Sequence, residues 1–236
     1  MREIVFDTET TGLDPREDRI IEIGCLELVN RFPTGRVLHH FVNPEGRAVH
    51  ADALAVHGIS NADLADKPTF AQIAEEFLEF ADGAKLVAHN ANFDMNFVNS
   101  ELMRLGQVAI GPDRVVDTLA IARRKHPMGP NSLDALCKRY NVDNSHRTKH
   151  GALLDAEILA EVYIELIGGK QAALGLEVAY EDEAASGGEA AAVTVEIGRR
   201  PRPLQPRLSE AERAAHEALV GRLGAEALWL KRPPAG

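Results

Sequence analysis

The opening stretch REIVFDTETTG carries Ile4, Val5 and Phe6 in an unbroken run that ends at Asp7, with Glu9 following. A short continuous apolar run predicts a strand covered on both faces. Side chains alternate along a strand, so Asp7 and Glu9 are expected to point the same way. Residues 19–29 (RIIEIGCLELV) predict a second strand, residues 32–35 (FPTG) a turn, and residues 36–42 a third strand that completes an antiparallel meander. From Pro44 the period changes. Residues 51–56 and 68–81 read as helices joined by a polar loop over 58–67; Phe70, Ile73, Ala74, Phe77, Leu78 and Ala81 recur at helical spacing, and Pro68 suits a first turn. Residues 85–89 predict a short strand, after which HNANFDMNF opens a helix to about residue 105 with Phe93, Phe97, Leu102 and Leu105 as its stripe. A further strand at 114–116, helices at 118–125 and 132–140, and a polar loop at 141–149 lead to an amphipathic helix over 152–167, stopped by Gly168 and Gly169. Strands first, then helices alternating with single strands, predict an α/β fold with a mixed sheet flanked by helices.

Past residue 168 the composition shifts. Residues 181–192 are acidic and rich in Ala and Gly, 193–197 form a brief β-prone run, and 199–207 (RRPRPLQPR) are basic and proline-rich. This pattern predicts a flexible linker. Ser209 with Glu212 forms a capping box for a helix to about residue 223, followed by Leu228, Trp229 and Leu230. The expected organisation is therefore a folded domain at 1–168, a linker at 169–207 and a terminal segment at 208–236.

The whole chain has 236 residues, enough for one good core. No apolar run approaches the roughly 18 residues of a membrane span, and the N-terminus lacks the basic-then-apolar order of a signal peptide. Cys25 and Cys137 are far apart without metal-type spacing, as suits core residues in a reduced, cytoplasmic setting. A formal net charge of −10 argues against tight, unaided binding to nucleic acid, because phosphate contact needs clustered Lys and Arg. A nucleic-acid substrate would have to be delivered by metals, by contacts at one strand end, or by a partner.

Charge also makes the acidic pair on the first strand informative. Two carboxylates converging at the end of a buried strand repel each other and lose solvation unless a cation sits between them. Oxygen ligands of this kind suit Mg²⁺ or Mn²⁺ rather than zinc. An acidic turn is the bland alternative, and further ligands must come from elsewhere. Taken singly, the candidates have ordinary explanations: Asp94 complements a helix N-terminus, Asp155 faces solvent, and His150 is a surface residue. Their joint occurrence is what carries a signal.

The ordered set Asp7, Glu9, Asp94, His150 and Asp155, in the words FDTETTGLDP, HNANFD and HGALLDAE, resembles the DEDDh exonucleases, a ribonuclease-H-like family of 3′-to-5′ nucleases. The likeness spans nearly all of residues 1–168 and is strongest to the proofreading exonucleases that accompany bacterial replicative polymerases. It implies a ribonuclease-H-like fold and release of nucleoside 5′-monophosphates from a DNA 3′ end with two Mg²⁺ or Mn²⁺. Asp7, Glu9 and Asp155 would ligate the first metal, Asp7 would also touch the second, Asp94 would act through water, and His150 would be the general base. Two cations about 3.5–4 Å apart stabilise both the entering and the leaving oxygen of a phosphodiester, and a neutral imidazole takes a proton at physiological pH. By the same resemblance, Thr10, Leu13, His57 and Asn90 are candidates for holding the terminal nucleotide.

Gln171, Leu174 and Leu176 resemble the short peptide that docks on the bacterial sliding clamp, an amide and two apolar side chains entering a pocket. Residues 209–230, with Leu219, Leu223 and Trp229, resemble the polymerase-binding end of the proofreading exonucleases; a helix this short is marginal alone, so its exposed apolar residues suggest a partner. Residues 181–207 of that linker, 27 residues, would span roughly 30 Å and give the nuclease millimolar effective concentration near a polymerase. Rival readings are a free-standing exoribonuclease, a phosphatase with Asp7 as nucleophile, and a non-catalytic scaffold bridging polymerase and clamp. Glu9 in place of a second Asp speaks against the phosphatase, and the intact acidic set against the scaffold.

Overall fold

In the computed structural model, which describes residues 1–147, 149–169 and 209–223, Ile4, Val5 and Phe6 lie in the middle strand of a five-stranded sheet. Strands β1 (Arg2–Thr10), β2 (Ile20–Val29) and β3 (Phe32–Phe41) form its antiparallel part. Strands β4 (Lys85–Ala88) and β5 (Val115–Asp117) add in parallel on the other side of β1, giving the order β3-β2-β1-β4-β5. The helices are α1 (Ala51–His57), α2 (Asn61–Leu64), α3 (Phe70–Ala81), α4 (Asn92–Arg104), α5 (Thr118–Lys125), α6 (Leu133–Tyr140), α7 (Ala152–Leu166) and α8 (Glu210–Leu223). No described helix is long and apolar enough to cross a membrane.

The expected mixed α/β sheet is present, and its layers explain the unbroken apolar run in β1. Ile4 and Phe6 pack with Phe70, Ile73 and Phe77 of α3 and Phe97, Val98 and Leu102 of α4. Val5 turns the opposite way, with Leu26, Leu28 and Val87, onto Leu159, Ala160, Tyr163 and Ile164 of α7. The far side of α7 presents Ile158, Val162 and Leu166 to Ala122 of α5 and to Leu136 and Cys137 of α6. That second layer gives α7 two buried faces, where the sequence predicted a single stripe, and leaves Glu157, Glu161 and Glu165 as its exposed edge. Both cysteines are free and buried, as expected.

Four local differences have clear causes. The β2–β3 turn is at Asn30 and Arg31, both at positive φ (52° and 70°), and not at 32–35. Left-handed residues at both central positions match the twist of a two-residue hairpin. Thr34 and Gly35 instead lie in a register shift within β3, where Gly35 takes φ 83°. The loop over 58–67 contains α2, whose N-cap Ser60 and Asp63 bond reciprocally. Thr69, not Pro68, starts α3, with Gln72 completing a capping box. In α4 the buried face is Met95, Phe97, Val98 and Leu102, while Leu105 is exposed.

Outside the apolar layers, Glu101 of α4 is 1% exposed and receives Arg19 through Nε (2.7 Å) and NH2 (2.9 Å), fastening the start of β2 to α4. Tyr163 Oη donates to Glu3 Oε1 at 2.7 Å, joining α7 to β1 within the buried layer. The chain divides into two units, Met1–Val178 and Ala179–Gly236. In the second, α8 is opened by Ser209, which bonds Glu212 Oε2 from both its backbone N–H and its hydroxyl, the capping box expected from sequence. Leu219 and Leu223 on α8 are exposed. Gln171, Leu174, Leu176 and Trp229 lie outside the described residues.

Candidate active site

Alternation along β1 sorts its polar end. Thr8 shares the face of Ile4 and Phe6, and both its backbone N–H (3.1 Å) and its hydroxyl (2.7 Å) donate to Asp94 Oδ1 in the first turn of α4. Asp7 and Glu9 share the face of Val5, towards α7. How close α7 comes is set by Gly24, the β2 partner of Asp7. A Cβ on Gly24 would stand 2.3–2.5 Å from the backbone of Ala152 and Leu153, so only glycine permits this approach. Gly151 offers no capping side chain, and Glu22 of β2 supplies the cap instead, its Oε2 accepting from Ala152 N at 3.1 Å. Glu22 is itself held by His39 Nε2, 2.8 Å from Oε1. These contacts fix the first turn of α7, and with it Asp155.

Asp7, Thr8, Glu9, Asp94, His150 and Asp155 line one cavity of about 300 Å³, together with His89, Asn90, Phe93, Ser132, Leu133, Asp134 and Arg147. All five candidate catalytic residues thus meet in one place, although Asp155, with an ordinary reading as solvent-facing, is buried. Ligand atoms of Glu9, His150 and Asp155 lie within 4.8 Å of one another. Asp7 and Asp94 flank that trio in the same cavity.

The electrostatics follow from burial. Loss of solvent first, then the carboxylates of Asp94, Glu9 and Asp155, hold Asp7 well above the ordinary carboxylate range. Burial, with Asp155, Glu22 and Asp94 adding, pushes Glu9 up to about 8. Burial raises Asp94 to about 7 against the Thr8 hydrogen bonds, which favour its charged form. Arg147 opposes the rise at Asp7 and Glu9. Oxygen-rich, mutually repelling and desolvated, the set fits a hard divalent cation, which would restore all three to their ionised forms.

The remaining candidates are more dispersed. His57 ends α1 and is buried; its Nδ1 accepts from Ile59 N at 3.0 Å, while Nε2 has no hydrogen-bond partner. Burial holds its ring below the usual imidazole range; the Thr10 backbone opposes this without completing a bond to Nε2. Thr10 is buried and its hydroxyl donates to Gly12 O at 2.7 Å. Leu13 stands 82% exposed on the following loop. Asn90 takes φ 64° and its N–H donates to Asp117 Oδ1 at 3.1 Å, an oxygen that also caps α5 through Leu119 N.

Glu22, Gly24, His89 and Arg147 were missed by the sequence reading. His89 stands at the head of the HNANFD word, lines the cavity, and its Nδ1 lies 2.9 Å from Thr118 Oγ1. Glu22 and Gly24 act on α7 from distant β2, and Arg147, though near Asp155 and His150 in sequence, lies in a polar loop where no motif marks it.

Comparison with known proteins gives a concordant result. A family model described as an exonuclease matches residues 4–163. The DNA polymerase III subunit epsilon of Rickettsia felis is 53% identical over 177 residues, covering 73% of this chain and 77% of that protein. Its counterpart from Escherichia coli K12 is 44% identical over 240 residues, covering 97% of each. Among solved structures, exonuclease X bound to 5′-overhanging duplex DNA is 29% identical, with a TM-score of 0.54 over 70% of this chain and 90% of that one. The nuclease domain of 3′hExo, a DEDDh family member bound to rAMP, shares the fold at 16% identity, with a TM-score of 0.60 over 70% and 91% of the two chains. This chain belongs to the exonuclease family of that model, alongside the epsilon subunits of bacterial DNA polymerase III.

Proposed function

We propose that this chain is a 3′-to-5′ exonuclease that removes mispaired nucleotides from a DNA 3′ terminus as the proofreading subunit of a replicative polymerase. The observation that carries the reading is the convergence of Asp7, Glu9, Asp94 and Asp155 beside His150 in one cavity. Similarity to polymerase III epsilon subunits extends over nearly the full chain in the Escherichia coli case, which supports both the chemistry and the polymerase association.

Asp7, Glu9 and Asp155 would hold the first of two Mg²⁺ or Mn²⁺ ions, with Asp7 reaching the second and Asp94 acting through water. Bound divalent cations supply positive charge that offsets the negative charge developing on the phosphate. His150, at the cavity mouth, accepts the proton of the attacking water at a ring nitrogen. Thr8 orients Asp94 through two hydrogen bonds, and Glu22 orients Asp155 through the α7 terminus. Buried His57 Nε2 lacks a partner. A buried polar atom left unpaired is unfavourable by about 1–3 kcal/mol, so a 3′ hydroxyl or phosphate oxygen bonded there would bind favourably. Leu13 is free to wedge against the terminal base, the Thr10 backbone N–H and Asn90 complete the nucleotide site, and phosphodiester cleavage releases a 5′-monophosphate.

Domain 1–168 carries the catalysis in this reading. The linker 169–207 brings Gln171, Leu174 and Leu176 to the sliding clamp, and segment 208–236 binds the polymerase through Leu219, Leu223 and Trp229, in the cytoplasm. Exposure of Leu219 and Leu223 on α8 supports such a docking role. The test is hydrolysis of single-stranded DNA and RNA in Mg²⁺ by wild type, Asp7→Ala and His150→Ala. DNA-preferring release of 5′-monophosphates that is lost in Asp7→Ala, with turnover reduced by orders of magnitude in His150→Ala while metal still binds, is expected. Inorganic phosphate as product, or unimpaired variants, would contradict the reading.

A further inference from the structure

Arg147 has a side chain only 8% exposed, yet it sits in the loop before α7 and reaches into the acidic cavity. Its Nε and NH2 take both oxygens of Asp155, at 2.5 and 2.6 Å, and its NH1 takes Asp134 Oδ1 at 2.9 Å. NH2 also lies 2.8 Å from His150 Nδ1. A guanidinium can only donate, so in this contact Nδ1 is the acceptor. A neutral imidazole has one lone pair; with Nδ1 accepting, the proton is on Nε2 and the ring has no free site for another proton.

We propose that Arg147 is a latch that competes with the divalent cation for Asp155 and, while engaged, ties up the lone pair that His150 needs as a base. This rests on the proposed function, which makes Asp155 a ligand and His150 the base. A divalent cation and a guanidinium compete for the same two carboxylate oxygens, and their like charges repel. Loading the site therefore withdraws Arg147. His150 Nδ1, 3.2 Å from Asp155 Oδ2, is then free to carry the ring proton towards that carboxylate, which leaves Nε2 as the accepting nitrogen. Base activation is thereby coupled to occupancy of the ligand cluster, and water is not activated by a site lacking its charge.

The loop is built for such a movement. At Lys149 and His150 it is docked on the end of α1, where Lys149 lies over Gly58 and His150 N donates to Val56 O at 3.4 Å. Gly58 has φ 76° and leaves the space that the Lys149 side chain fills. These contacts keep His150 at the cavity while Arg147 lets go. Among the described residues, Asp134 is the further carboxylate within reach of NH1 and is half exposed, a resting place for the withdrawn guanidinium.

The test is titration of Mn²⁺ into wild type, Arg147→Lys and Arg147→Gln by calorimetry, without DNA. Removing the competitor is expected to tighten Mn²⁺ binding by at least about tenfold in Arg147→Gln, the change associated with one charge-assisted hydrogen bond, with Arg147→Lys between. Unchanged or weaker binding by a folded Arg147→Gln overturns the latch. Because that variant can lose fold, the wild type is also followed by ¹⁵N NMR of its histidine rings. The latch requires His150 Nδ1 to be the accepting nitrogen in EDTA and to gain the proton when Mg²⁺ saturates the site; an Nδ1–H ring from the start, or no change with Mg²⁺, overturns it. Mg²⁺-dependent wild-type hydrolysis with unaltered Arg147→Gln affinity removes the latch alone, whereas wild type without hydrolysis removes the reading beneath it.

Discussion

Gly24→Ala isolates the packing that brings Asp155 to Asp7, because Gly24 lines no part of the cavity. Its new Cβ would meet Leu153 N at 2.3 Å and Leu153 Cα at 2.4 Å, against an ordinary contact of 3.4–4 Å. The obstacles are backbone atoms of a buried helix, so no side-chain rotation relieves them. Either β2 or the first turn of α7 must retreat by about 1 Å. Overpacking of this kind destabilises by about 1–3 kcal/mol, which in a domain of this size lowers Tm by roughly 2–12 °C. The larger effect falls on function, since a 1 Å misplacement of a catalytic group is associated with about 10²-fold in rate. The same retreat stretches the Ala152–Glu22 cap. Gly24→Ala, folded by circular dichroism, is therefore expected to cleave single-stranded DNA about 10²-fold more slowly at saturating Mg²⁺. A rate within about twofold of wild type would refute the claim that this glycine sets the geometry of the site.

Other predictions follow from buried charge and from the chain's division. Glu9 and Asp94 have folded values of about 8 and 7, above their ordinary 4.5 and 3.8, so the folded state holds more protons than the unfolded one between those limits. Without divalent cations, stability should fall as pH rises from about 5 to 8, and Mg²⁺ should reverse the loss; thermal melts in EDTA and in Mg²⁺ check this, and an opposite slope in EDTA refutes it. Glu101→Ala leaves Arg19 with its main carboxylate partner missing and should destabilise by about 3–5 kcal/mol in chemical denaturation. A chain ending at Gly169 should retain hydrolysis of short single strands but no longer co-purify with the polymerase subunit; retained co-purification refutes the tether.

The architecture was legible wherever a period was regular. The apolar run into Asp7 and the helical spacing of Phe70, Ile73 and Phe77 predict elements that the structure contains. Asp7, Glu9, Asp94, His150 and Asp155 could be picked out because each lies in a local word, and the words occur in a recognisable order. Asp155 illustrates the limit of periodicity. It looks offset from the apolar stripe of its helix, yet it is buried, because α7 is covered on two sides and its first turn is pressed onto Gly24. Glu22 capping a helix 130 residues later is a contact that no local pattern encodes. Arg147 reads in sequence as one more polar residue in a loop; only the folded chain shows its guanidinium on Asp155 and His150. The turn at Asn30 and Arg31 was displaced for a simpler reason: Pro33 and Gly35 are stronger turn signals than the residues that make the turn.

Anomalous diffraction from crystals grown with Mn²⁺ tests the central claim most directly. The account requires Mn²⁺ peaks in the cavity bounded by Asp7, Glu9, Asp94 and Asp155, with Asp7, Glu9 and Asp155 oxygens as ligands and the peaks weakened in Asp7→Asn. Absence of Mn²⁺ from that cavity at saturating concentration, in protein that still hydrolyses DNA, would contradict it.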